Sequence, residues 1–142
     1  AQIESMNLSN RVKVVADFVD TAEYLTGADI FCFPAQNEAM GTPLLEALVA
    51  GTPTVANGNE PSFGEWIVDG NNGFLIELDA GKWATAIQKL AEFDSDKKKQ
   101  ISEAITARVS SDVIDDHYFR LLTELTNTPV ESTLNVEQVL SS

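Results

Sequence analysis

At 142 residues, 44% of them hydrophobic and 22% charged, the chain has the makeup of one globular domain with a single core, which excludes a disordered or fibrous class. Nine basic against 22 acidic side chains leave a net charge of -13, a surface that repels nucleic-acid backbones and anionic membranes alike. The single cysteine, Cys32, has no intrachain disulfide partner, and no stretch has the length and apolarity of a membrane span or the makeup of a signal peptide. A reducing, cytoplasmic setting is therefore expected.

Residues 1–10 read as the tail of a helix, with Ile3, Met6 and Leu8 apolar and a turn at Ser9-Asn10. The valine-rich residues 11–16 are expected as a strand. A loop over 17–20 leads to a short helix at 21–26 capped by Gly27, and residues 30–33 form the next strand, with Cys32 as a small core residue.

The stretch over 34–56, PAQNEAMGTPLLEALVAGTPTVA, is the most informative. A polar loop carries Glu38. Gly41-Thr42-Pro43 then reads as a helix start, with Thr42 as N-cap and Pro43 at the first helical position, where no donor is needed. The helix continues through Leu44, Leu45, Glu46, Ala47, Leu48 and Val49, and Gly51 closes it in the left-handed conformation. A second strand follows at 54–56. Strand, loop, helix and strand make a parallel crossover.

A loop of this kind stands at the carboxyl end of its strand, where open α/β sheets bind ligands, and its helix start offers free N–H groups and a partial positive charge to an anion. Glu46, expected in the first helical turn, is suited to accept hydrogen bonds from a diol, and Glu38 from a second polyol. Gly41 leaves room for backbone to approach the ligand. One anion flanked by two hydroxyl-rich groups outlines a nucleotide sugar. A first-turn glutamate also serves the helix dipole with no ligand at all, at ~0.3–1 kcal/mol, and Leu44, Leu45 and Leu48 are core residues under either reading.

Beyond this stretch, Asn57-Gly58-Asn59-Glu60-Pro61 forms a loop at the same edge of the sheet as Glu38. Ser62 and Glu65 have capping-box spacing for a short helix at 63–68. The Asp69-Gly70-Asn71-Asn72-Gly73 turn leads to a strand at 74–78, and Trp83, Ala86, Ile87, Leu90 and Ala91 form a helical core stripe. Residues 96–109 are a further helix with Ile101, Ala104, Ile105 and Val109 on one face and Lys97-Lys98-Lys99 in water. In the last helix, 111–126, the apolar side comprises Ile114, Tyr118, Leu121, Leu122 and Leu125. Its Asp112, Asp115, Asp116 and His117 read as acids at a helix start beside the chain's one histidine, and no metal site is expected there. The domain is expected over 1–126, with 127–142 as a polar tail or strap.

Pro34, Glu38-Ala39-Met40-Gly41, Glu46-Ala47, Gly51-Thr52-Pro53 and Val55-Ala56 together resemble the carboxy-terminal half of GT-B glycosyltransferases of the family 4, or group 1, retaining type, which includes bacterial mannosyl- and glucosyltransferases and glycogen synthase. The family pattern is a strand ending in Pro, a Glu, two residues, a Gly, a helix bearing a Glu eight positions after the first, then Gly-x-Pro and a strand. The resemblance implies an α/β fold, the latter half of a Rossmann-like doubly wound parallel sheet. It implies that Glu46 holds the ribose hydroxyls, that Glu38 contacts the donor sugar as the candidate catalytic residue, and that the amides of Met40, Gly41 and Thr42 face the diphosphate and sugar. Ala39 and Leu45 complete the implied donor-binding set. Ala39 stands where Gly is commoner and Met40 where Phe is commoner, departures that bear on the sugar pocket.

The implied activity is retaining transfer of a hexose from a nucleotide diphosphate sugar to a hydroxyl acceptor, in polysaccharide or glycolipid synthesis, with the donor as substrate and no cofactor. The alternative is a non-catalytic accessory subunit of the same fold. Family members hold the diphosphate with an Arg and a Lys from the first strand and helix of this domain and bind acceptor on an amino-terminal domain. Neither part matches this chain. The expectation is therefore a piece of a longer enzyme, or a chain whose sheet a partner completes.

Overall fold

The computed structural model describes residues 2–17 and 19–127. Its helices begin where the sequence supplies caps: α2 (Thr21–Gly27), α4 (Ala80–Leu90) and α5 (Ser95–Val109) each follow an aspartate, Asp20, Asp79 and Asp94, whose carboxylate accepts a first-turn amide. The others are a single turn, α1 (Gln2–Ser5), the crossover helix α3 (Thr42–Val49), and α6 (Ser111–Asn127). A five-residue 3-10 helix spans Pro61–Glu65.

Three short strands, β1 (Phe31–Phe33), β2 (Thr54–Asn57) and β3 (Gly73–Ile76), pair in parallel in chain order, with Cys32 opposite Val55 and Val55 opposite Phe74. This is the expected α/β plan. β2 is central and all four of its residues are buried. Alternation along the strands sorts the core into two layers. Val55, Phe74 and Ile76 meet Trp83, Ala86, Ile87 and Leu90 of α4, while Ala56 and Leu75 meet Leu44, Leu48, Phe63, Ile101 and Ile105. Both faces of β2 are thus covered, as parallel strands require.

Two hydroxyls, that of buried Thr52 and that of half-buried Ser102, tie the layers together. Thr52 Oγ1 donates to the carbonyl of Leu25 at the end of α2 (2.6 Å), and Ser102 Oγ of α5 donates to Val49 at the end of α3 (2.6 Å). Gly51 closes α3 at φ 81°, and a Cβ there would stand 2.6 Å from the Lys98 carbonyl, so helix ending and helix packing impose the same residue.

Several expectations are corrected. Residues 12–16 form no strand, and Val14 is 72% exposed. A strand exists through its ladder, and no strand among the described residues pairs with this segment or with the outer edge of β1. Cys32 is exposed rather than core, because α4 packs on β2 and β3 and leaves the Cys32 face of β1 open. Ala91 and Ala104 also face solvent.

The lysine run is not simply solvated: Lys97 bonds Asn71 and lies over the Phe93 ring, and Lys98 pairs with Asp29 at 3.0 Å. The apolar side of α6 is exposed, from Ile114 to Leu125. No described helix is long and apolar enough to cross a membrane. The expected tail begins inside α6 at Asn127, and its remainder, 128–142, lies outside the described residues.

Candidate donor site at the carboxyl end of the sheet

The loop that follows β1 is shaped by two side chains, one at the end of β2 and one in the loop just beyond it. Asn57, buried at the end of β2, donates from Nδ2 to the carbonyl of Ala35 (3.0 Å) and accepts at Oδ1 from the amide of Asn59 (3.1 Å). Half-buried Glu60 spends both carboxylate oxygens on consecutive amides, Asn37 at 2.9 Å and Glu38 at 3.2 Å. Between these ties Asn37 adopts φ 58°, a left-handed conformation that asparagine tolerates better than most residues. Glu38 is half-buried, and its Oε1 accepts from the amide of Gly41 at 3.4 Å.

The helix start differs from the sequence reading by one residue. Gly41, not Thr42, is the N-cap, at φ 72° and ψ 45°, and no side chain caps the helix. A Cβ at position 41 would approach Cε1 of Phe63 to 2.7 Å, so packing against the 3-10 helix selects glycine there. Thr42 becomes the first helical residue, exposed, with Pro43 behind it. The amides of Leu44 and Leu45 both donate to the Gly41 carbonyl, whereas the amides of Ala39, Met40 and Thr42 meet no acceptor among the described residues. These are the free donors of the site, at the positive end of α3.

With the helix beginning at Thr42, Glu46 falls in its second turn, a correction to the first-turn placement. Its carboxylate is exposed and accepts from the Thr21 hydroxyl of α2 at 3.5 Å. It stands at the lip of a mostly apolar groove of about 340 Å³ between α2, β1 and α3, lined by Val19, Tyr24, Leu25, Phe31 and Pro43. The loop and helix therefore bring Glu38, Ala39, Met40, Gly41, Thr42 and Glu46 to one edge of the sheet. Ala39 and Met40 are exposed there, while Leu45 is half-buried and packs against the core.

The expected capping box at Ser62 and Glu65 does not form. Pro61 starts the 3-10 helix two residues earlier, Glu60 takes the N-cap position, and Glu65 is held instead through its carbonyl by Arg108 Nη1 (3.1 Å), whose guanidinium lies over Trp66. Sequence reasoning placed the Asn57 to Pro61 loop at the right edge but did not single out Asn57 or Glu60. Their acidic and amide types were the available signal, yet their partners in the β1 loop are more than twenty residues away.

The chain matches the family model described as Glycosyl transferases group 1 over residues 1–108. It is 29% identical over 122 residues to the lipopolysaccharide core biosynthesis glycosyltransferase LpsE of Rhizobium meliloti, covering 82% of this chain and 35% of that protein. It is 36% identical over 110 residues to D-inositol 3-phosphate glycosyltransferase of Corynebacterium kroppenstedtii, covering 68% of this chain and 24% of that protein. A third similar protein, from Haemophilus influenzae, is an uncharacterized glycosyltransferase, 27% identical over 74 residues, or 52% of this chain and 21% of its own length. The chain thus spans about a third or less of the curated relatives it matches.

Proposed function

The chain belongs to the glycosyl transferases group 1 family, and from that premise we propose that it forms the donor half-site of a GT-B, nucleotide-sugar-dependent, retaining glycosyltransferase. The observation that carries this reading is the bracketing of a helix start by two carboxylates. Glu38 lies before α3 and Glu46 on it, and the unspent amides of Ala39, Met40 and Thr42 lie between them. In this reading the nucleoside occupies the groove beside Tyr24 and Phe31, its ribose hydroxyls donate to Glu46, the diphosphate meets the start of α3, and the hexose reaches Glu38.

Transfer breaks the bond between the anomeric carbon and the diphosphate oxygen and forms one to an acceptor hydroxyl oxygen, whose proton passes to the departing diphosphate, with configuration kept. The charge that develops on the departing diphosphate is stabilised by the helix amides. Remaining cations and the acceptor site belong to parts of the assembly beyond this chain. No cofactor is required, and a cytoplasmic setting is supported by the unpaired thiol of Cys32.

The test is donor binding by the natural protein that contains this sequence, measured calorimetrically with UDP- and GDP-hexoses for wild type and Glu46→Ala. Loss of affinity with unchanged folding supports the enzyme reading. Intact assembly with a partner glycosyltransferase and no donor binding by wild type favours an accessory subunit.

A further inference from the structure

We propose that Glu60 is a positioning residue of the donor site, whose carboxylate, by holding the amides of Asn37 and Glu38, sets where Glu38 stands relative to the start of α3. This inference rests on the donor-site reading above. Both oxygens of one carboxylate are committed to neighbouring amides of another loop, at 2.9 and 3.2 Å. Such charge-assisted bonds are roughly twice as strong as neutral ones.

Glu60 has a local alternative, since it occupies the N-cap of the Pro61–Glu65 helix, but its side chain makes no capping bond there. The carboxylate is turned across to the β1 loop instead. Glu38 does little to place itself: the contact of its own carboxylate with the Gly41 amide is long, at 3.4 Å. Its backbone is the firmer anchor, and Glu60 holds that backbone. The second tie between the same loops, Asn57 to Ala35, stands behind it and fixes the base of the loop but touches neither residue 37 nor residue 38. Among the described residues, the left-handed Asn37 is thus held through its amide by Glu60.

The arrangement also divides the loop's amides by use. Those of Asn37 and Glu38 serve Glu60, leaving those of Ala39, Met40 and Thr42 for an anionic ligand.

The experiment uses the natural full-length protein carrying Glu60→Ala or Glu60→Gln. Calorimetry compares two probes, the UDP- or GDP-hexose that wild type binds and the matching bare nucleoside diphosphate, while hydrogen exchange followed by mass spectrometry reports on residues 35–41. Glu60→Ala is expected to weaken the hexose donor about tenfold, ~1.4 kcal/mol, to leave the bare diphosphate within about twofold, and to speed exchange in the loop. Glu60→Gln keeps one carbonyl acceptor and recovers part of the donor affinity, and it carries the test if the alanine variant does not fold. Equal losses for both probes, or donor affinity unchanged in both variants, overturn the positioning role while the donor-site reading stands. Wild type that binds neither probe overturns that reading and the role of Glu60 with it.

Discussion

Gly41 and Phe63 approach so closely that a single methyl group added to Gly41 would stand 2.7 Å from the Phe63 ring. The ring in turn lies 5.4 Å from that of Phe33, centroid to centroid, so it is held from the β1 side as well. The helix start that faces the candidate ligand is therefore set by aromatic packing beneath it. Gly41→Ala combines a left-handed non-glycine residue with overpacking, and a loss of ~2–4 kcal/mol is expected. Urea denaturation checks it, and a loss below about 0.5 kcal/mol contradicts the packing account.

Glu46 is exposed and the contact of its carboxylate with Thr21 is long, so Glu46→Ala is expected to change stability by no more than about 0.5 kcal/mol. Under the proposed function the same substitution lowers donor affinity by about tenfold or more. Parallel denaturation and calorimetry separate the two effects, and donor affinity equal to wild type removes Glu46 from the site.

Asn57 is 1% exposed and bonds a carbonyl on one loop and an amide on another. Asn57→Leu leaves both without partners, at ~1–3 kcal/mol for each group that stays buried. A fall in the unfolding midpoint together with faster exchange at Ala35 to Glu38 is expected. A stable variant with an unchanged loop counts against the tie.

Leu48 is fully buried between α3 and the face of α5 that carries Ile101 and Ile105. Truncation to alanine is expected to cost ~2–5 kcal/mol, the range for a buried leucine whose cavity only partly collapses. A cost near 1 kcal/mol points to a site that repacks.

The sulfur of Cys32 lies on an exposed residue, yet partial desolvation against the strand pushes its thiol above the ordinary 9.0. A raised thiol pKa means less thiolate at neutral pH, so alkylation by iodoacetamide is expected to be slow at pH 7 and still rising above pH 9.0. A rate that levels off below that pH indicates a different environment.

What the sequence determined by itself was whatever short-range chemistry dictates. Residues 41–57 carry a proline at a helix start, glycine at its end and two apolar runs, and those local signals yield α3, β2 and the crossover between them in nearly the observed places. The same spacing put Glu38 and Glu46 at one edge of the sheet.

Tertiary structure decided the rest, because each remaining question turned on a neighbour distant in the chain. Residues 12–16 have strand composition and no ladder, since pairing is a property of two segments. Cys32 is apolar in context but uncovered, since coverage depends on how far α4 reaches across the sheet. The N-cap moved from Thr42 to Gly41 in the presence of Phe63, and Glu60 left its own helix to bind Asn37 and Glu38. Hydrogen-bonding capacity belongs to a residue type and is legible in sequence, but its partner is chosen by which loops the sheet brings together.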